Sequence, residues 1–202
     1  MPCNVVIGRL RAALSAPTPD AALTQPRASA GQREAAVALI VLASAASLEV
    51  LLIERAERAL DPWSGHMALP GGRSEPGDVD LGATAERETL EEVGLDLAQA
   101  GERLGRLSDH EPVRGVPIRV RPFVYLLDAR PVLAPNREVK EAFWVPVEPL
   151  QSGAWATTYR HTRGADEREF PAWDIDGRLV WGLTYRVLDE FFRRYNAVSA
   201  RG

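Results

Sequence analysis

The chain has 202 residues, of which 46% are hydrophobic and 26% charged, with a formal net charge of −4. That length accommodates one domain with a sizeable core and short extensions. The acidic balance offers no broad basic surface, which argues against nucleic acid or an anionic membrane as a partner. Cys3 is the only cysteine, so an intramolecular disulfide and a cysteine-based zinc site are excluded. A single thiol fits a reducing compartment, and a cytoplasmic location is expected. Lys140 is the only lysine. Codon bias explains that most simply, although arginine also grips phosphate in a two-pronged fork that lysine lacks.

Residues 5–14 can form a short amphipathic helix. With Arg9 and Arg11 inside it, the N-terminal stretch lacks the unbroken apolar run of a signal peptide. Residues 16–33, rich in Pro, Ala, Thr and Gln, read as a loop or linker. Residues 35–43 form a buried strand, too short to span a bilayer, and residues 48–54 a second strand. Residues 57–66 are irregular, and Pro70-Gly71-Gly72 makes a sharp turn. A helix follows to about Val93, capped by Asp78 or Asp80 and ended by Gly94. Strands are expected at 104–107, at 116–127 with interruptions at Pro117 and Pro122, and at 141–145, then a turn or short helix at 147–150. Residues 152–167 read as an exposed loop. Residues 170–173 and 178–180 read as a hairpin around Asp174-Ile175-Asp176-Gly177, and residues 183–195 as a closing amphipathic helix. Its apolar stripe suits packing or a dimer surface. The order implies an α+β domain, or α/β/α layers, with a mixed sheet. Residues 1–34 would form an N-terminal helix and linker, 35–195 the domain, and 196–202 a tail.

The chemistry concentrates in Leu69-Pro70-Gly71-Gly72, five residues, Asp78, eight residues, then Arg87-Glu88-Thr89-Leu90-Glu91-Glu92-Val93-Gly94-Leu95. On a helix, Glu88, Glu91 and Glu92 fall within an arc of about 100°. Ala83 and Leu90 are expected on the opposite face, toward a sheet, leaving Thr84 with the carboxylates. Three carboxylates on one face repel one another and stay ionised only where positive charge is supplied. Arg87 supplies one. A divalent cation supplies more, and hard oxygen ligands suit Mg²⁺ or Mn²⁺. A diphosphate substrate needs the same charge to neutralise its oxygens and activate water.

This segment resembles the Nudix box: Gly, five residues, Glu, seven residues, Arg-Glu-apolar-any-Glu-Glu-any-Gly-apolar. It departs at Asp78, in the extra residue before Arg87, and at Thr89. The lengthened loop is similar to the coenzyme A pyrophosphatase branch of that family. So are Leu51-Leu52-Ile53-Glu54-Arg55-Ala56, the run from Gly65 to Gly72, and Val180-Trp181-Gly182-Leu183-Thr184. In the upstream motif the spacing from Arg55 to Gly65 is one residue long, and Leu69 replaces Phe. Its second Arg is missing from its usual place, with Arg58 as a substitute.

The resemblance implies a Nudix-type α/β/α sandwich with a mixed β-sheet, and a metal-dependent hydrolase that cleaves a diphosphate linkage. The substrate would be coenzyme A or an acyl derivative. Another nucleoside diphosphate derivative (ADP-ribose, a nucleotide sugar, a dNTP) is the alternative, ahead of a non-catalytic nucleotide sensor. Glu88, Glu91 and Glu92 would ligate the metal, with a backbone carbonyl from Gly72. Glu88 would otherwise orient or deprotonate the water, and Arg87 would orient the glutamates. Glu138 matches the family's habit of placing a further acid near the metals, with Glu141 as its competitor. Arg55 and Arg58 can fork onto phosphate or simply be solvated. His66 can touch phosphate or base, or satisfy a loop backbone. Trp63 and Trp155 can stack on an adenine ring, whereas Trp144 and Trp181 sit in apolar runs and read as core. The expected partner is a nucleotide-type small molecule, with neither nucleic acid nor membrane involved. A homodimer is in keeping with the family.

Overall fold

The computed structural model describes residues 2–15, 33–44, 47–57, 64–111, 117–163 and 166–199. Its centre is a seven-stranded mixed sheet. β1 (Arg33–Ala43) lies between β2 (Leu48–Arg55), antiparallel to it, and β6 (Ile118–Leu127), parallel to it. β5 (Gly101–Arg106) closes one side on β6. On the other side β2 carries both β3 (Met67–Ala68) and β7 (Val139–Pro146), and β4 (Gly71–Arg73) pairs with the first half of β1.

Strand alternation sorts the apolar residues into two cores. Ala36, Ala38, Ile40, Leu51, Ile53, Tyr125 and Leu127 face α2 (Leu81–Val93) and the short α3 (Leu97–Ala100). Leu39, Val41, Val50, Leu52, Val124 and Leu126 face α1 (Pro2–Ser15) and α5 (Gly182–Ser199). The result is the expected α/β/α sandwich. The closing helix spends its stripe on packing: Val187, Leu188, Phe191, Phe192 and Tyr195 are all buried. Helix α1 lays Leu10 and Leu14 into the same core, and Arg9 sits over the Tyr195 ring at 4.1 Å. Among the described residues no helix is long and apolar enough to cross a membrane.

Two expectations need correction. β6 runs through Pro122 without a break. Pro122 keeps its place in the sheet because its carbonyl still accepts the Leu107 N–H at 3.0 Å, so the proline costs the outer ladder a single donor. The stretch 152–167 is no loop. After α4 (Val147–Ser152), β8 (Ala156–Arg163) pairs with β9 (Asp166–Ile175), and β10 (Arg178–Trp181) completes a separate three-stranded sheet. Thr157, Thr158, Arg160, Glu167, Arg168 and Glu169 are exposed, so this hairpin carries little apolar alternation to announce it. Cross-strand pairing supports it instead, as in Arg160 to Glu169 at 2.9 Å. The second hairpin turns where expected: Asp176 and Gly177 both take positive φ, and the Gly177 N–H donates to Asp174 Oδ1.

Candidate active site

Helix α2 starts at Asp80, whose carboxylate accepts from the Ala83 N–H, and ends at Gly94, left-handed with φ 70°. The buried face contains Gly82, Thr84, Ala85, Thr89, Glu92 and Val93. This reverses the expected facing: Leu90 is 48% exposed, and Thr84 is fully buried rather than on the carboxylate face. The physical reason is that Glu92 lies about 20° from Ala85 around the helix, whereas Leu90 lies about 140° away. The sheet therefore takes Ala85 and Glu92 together. Thr89 tolerates its buried site because its hydroxyl donates to the Ala85 carbonyl at 2.7 Å.

Asp78, free of the capping role, organises the loop before the helix. It accepts from the Glu75 N–H, the Thr84 hydroxyl and the Arg87 guanidinium. The Arg87 bonds, helped by the other two against partial burial, hold the Asp78 carboxyl well below the usual range. Arg87 also reaches Glu88 Oε1 at 3.1 Å, Glu91 Oε1 at 3.4 Å and the Arg73 carbonyl at 3.0 Å. One guanidinium thus ties the loop to two of the three glutamates.

Gly71 is sterically required, and Gly72 leaves room for the Glu88 carboxylate where it stands. Gly71 has φ 148°, and a Cβ there would collide with the backbone of Ala36 and Val37. A Cβ on Gly72 would occupy the space of the Glu88 carboxylate itself. The Gly71 N–H donates to Glu92 Oε2 at 2.9 Å. Glu92 is only 4% exposed. Burial pushes its pKa up to about 7. The Gly71 bond and Arg55, 4.0 Å from Oε1, oppose the rise, and Glu88 and Glu138 add to it. Burial also raises Glu88, against the pull of Arg87. Glu91 is the exposed member, its side chain 57% accessible.

Glu138 is delivered by the segment that closes over the end of α2. Asn136 N–H donates to the Glu92 carbonyl, Ala134 N–H to that of Val93, and Asn136 Oδ1 receives the Glu138 N–H. Its charge reaches Glu92. Glu141, the competitor, points elsewhere: it pairs with Arg178 at 2.5 Å. Of the expected substrate contacts, Arg55 joins the carboxylates. His66 does not: its ring packs edge-on against Trp181, 5.1 Å between centroids. Arg58 and Trp63 lie outside the described residues.

Trp181 corrects the reading of it as core. On β10 Val180 points inward and is fully buried, so alternation turns Trp181 to the other face, where it is half-buried among Tyr159, His161 and Phe170. Alternation around Val180 was the signal that could have found it. Trp155, offered as a stacking ring, packs against the α5 core instead.

Metal would suit this donor set. Among the described residues Asp78, Glu88 and Glu91 meet Arg87, and Glu92 meets Arg55, with Glu138 adding its charge beside Glu92. The surplus negative charge and the all-oxygen donors fit a hard divalent cation. Among the described residues no three acidic, His or Cys groups already converge into a metal cage. Arg87 holds Glu88 and Glu91 to one side, and Gly71 holds Glu92.

The family model for the NUDIX domain matches residues 32–163. The chain is 31% identical over 177 residues to the uncharacterized Nudix hydrolase NudL of Yersinia pestis (strain Pestoides F), covering 87% of this chain and 86% of that protein. Solved structures share the fold. A MutT/nudix family protein from Enterococcus faecalis superposes with TM-score 0.52 at 20% identity, over 87% of this chain and 66% of the other. The MutT protein from Methanosarcina mazei Go1 gives 0.51 at 20% identity, over 88% and 98%. With its box, its sandwich and these matches, the chain belongs to the Nudix hydrolase family and is a pyrophosphohydrolase.

Proposed function

We propose that this hydrolase splits coenzyme A or an acyl-coenzyme A into 3′,5′-ADP and phosphopantetheine or its acyl form. The coarser assignment, a hydrolase of a nucleoside diphosphate derivative, stands on family membership. The coenzyme A reading rests on the lengthened loop with Asp78, the run from Gly65 to Gly72 and the segment from Val180 to Thr184. The observation that carries the catalytic part is the buried Glu92, held by Gly71 beside Glu88 and Glu138 with its charge incompletely matched.

Nudix hydrolases generally use divalent metal ions. Here Glu88, Glu91, Glu92 and the Gly72 carbonyl would hold Mg²⁺ or Mn²⁺. Bound there, the ion would neutralise diphosphate oxygens and acidify a coordinated water. Arg87 sets the positions of Glu88 and Glu91. Arg55 presents a fork to the phosphates and His66 flanks the substrate further out, while Arg58 and Trp63 remain the residues that the sequence adds for phosphate and base. Water adds to one phosphorus, the bridging P–O bond breaks, and each half leaves as a phosphomonoester. Glu88 takes the water's proton in this scheme, with Glu138 as the alternative acceptor, since both acids adjoin Glu92.

The test is a substrate panel with Mg²⁺ and with Mn²⁺: coenzyme A, ADP-ribose, NADH, nucleoside diphosphates and dNTPs. The expected result is consumption of coenzyme A with formation of 3′,5′-ADP. Turnover of another compound with none of coenzyme A would overturn the substrate reading.

A further inference from the structure

On the sheet face away from α2 lies a cleft of about 240 Å³, lined by Glu54, His66, Met67, Tyr159, Arg178 and Trp181 among others. That volume falls below the range for a whole drug-sized ligand and suits one ring system. Its walls are aromatic. The Tyr159 and Trp181 rings are 4.2 Å apart between centroids, and His66 meets Trp181 edge-on. All three are half-buried, leaving ring surface open.

One side of the cleft is a fixed acceptor. Glu54 is buried, its Oε1 bonded by Lys140 at 2.6 Å and its Oε2 by Arg178 at 3.2 Å. Lys140, against the opposing effect of burial and with help from Arg178, keeps this carboxylate ionised. An ionised carboxylate accepts hydrogen bonds only. The cleft therefore favours a planar ring that brings an N–H donor.

Strand β2 connects this cleft to the carboxylates of α2. Glu54 and Arg55 are successive residues, so their side chains leave opposite faces of the sheet. Glu54 lines the cleft, and Arg55 approaches Glu92. The Arg55 N–H donates to the carbonyl of His66, another lining residue. Arg55 is also the last residue of β2, and the register shifts there. A molecule held at Glu92 has only the end of one strand to pass before it reaches the rings.

We infer that this cleft is the base subsite of the enzyme, seating an amino-bearing purine against the exposed ring surfaces of His66, Tyr159 and Trp181 with its exocyclic amine on Glu54. The inference rests on the reading that the substrate is a nucleoside diphosphate derivative. Arg178 and Lys140 are positioning residues here, because they hold Glu54 rather than the base.

The test separates the cleft from the chemistry. Binding of adenosine 5′-monophosphate to the full chain is measured by calorimetry in EDTA, beside inosine 5′-monophosphate and ribose 5-phosphate. The expected order is adenosine tightest, inosine weaker by about ten-fold because a carbonyl acceptor replaces the amine that faces the Glu54 carboxylate, and ribose phosphate weakest. Trp181→Ala and Tyr159→Leu should each weaken adenosine binding about ten-fold or more, the loss of one stacked ring. Glu54→Gln should narrow the adenosine–inosine difference, because its amide can donate to the inosine carbonyl. Circular dichroism confirms that each variant is folded, and the two ring variants check each other. No adenosine binding, ribose phosphate binding as tightly, or ring variants that bind like the parent would each overturn the inference. A parent enzyme that cleaves no nucleoside diphosphate derivative would overturn the functional reading instead, since the binding series is read without turnover.

Discussion

Glu92 and Glu190 are both buried glutamates, 4% and 7% exposed, yet the protein treats their charges in opposite ways. Glu190, on α5, sits in a shell of donors. It accepts from the Ser108 N–H and hydroxyl at 3.0 Å each, meets His110 Nε2 at 3.0 Å, and pairs with Arg194 at 2.6 Å. Burial alone would raise its pKa, but these donors bring it down to about 2. Glu92 has one N–H, an arginine at 4.0 Å and two acidic neighbours, and burial pushes it up to about 7. The chain neutralises the first carboxylate completely and leaves the second short of charge. An acid buried without its counter-charge costs stability, which marks Glu92 as functional and Glu190 as a latch joining α5 to the end of β5.

That contrast can be broken at either end. Glu92→Gln should lower kcat/KM by about 10³-fold or more, as loss of a group acting at the reacting phosphate does. Its fold should survive: the apo variant should be more stable than the parent at pH 8 by roughly 2 kcal/mol, because a buried charge is gone. Denaturant unfolding in EDTA checks the second part, and near-parental turnover would sink the first. Glu190→Ala should do the reverse. It leaves Arg194 and His110 without their buried partner and should cost about 3–5 kcal/mol, read as a lower unfolding midpoint. The molecules that remain folded should keep their turnover.

The pH dependence carries the same sign difference. The folded pKa of Glu190 lies below its ordinary value of 4.5, so its contribution is present above that value and fades as pH falls toward 2. The folded pKa of Glu92 lies above 4.5, so in metal-free protein its contribution is present below 4.5 and lost as pH rises through 7. The smallest effect should come from Leu90→Ser. The residue is half-exposed on the face away from Ala85, so unfolding should shift by no more than about 0.5 kcal/mol. A cost of several kcal/mol would return Leu90 to the core and contradict the facing of α2.

The legible parts of the molecule were those where one local rule acted alone. The α2 carboxylates followed from helical spacing, the Gly94 stop from its chemistry, and β1, β2 and β6 from their β-branched and leucine runs. The closing helix declared itself through Val187, Leu188, Phe191 and Phe192. What escaped depended on tertiary choices. A helix with acids and apolar residues on overlapping arcs does not say which arc the sheet will take, so Leu90 and Glu92 exchanged the expected environments. Asp78 and Asp80 are equivalent as caps in sequence, and only the reach of Arg87 back to Asp78 divides their work. The β8–β9 hairpin is solvated on most of its surface, and its pairing with β10 is what turns Trp181, Tyr159 and His66 into one cleft.

The central claim is that Glu92 is kept short of charge so that a divalent cation can complete it. Calorimetric titration of Mg²⁺ and Mn²⁺ into the protein, repeated in buffers of different ionisation enthalpy, tests it most directly. Near pH 6 the cation should displace about one proton per site, and the release should vanish by pH 9 as Glu92 ionises unaided. Glu92→Gln should bind at least ten-fold more weakly and release none. Binding without a pH-dependent proton, or equal binding by Glu92→Gln, would contradict the account.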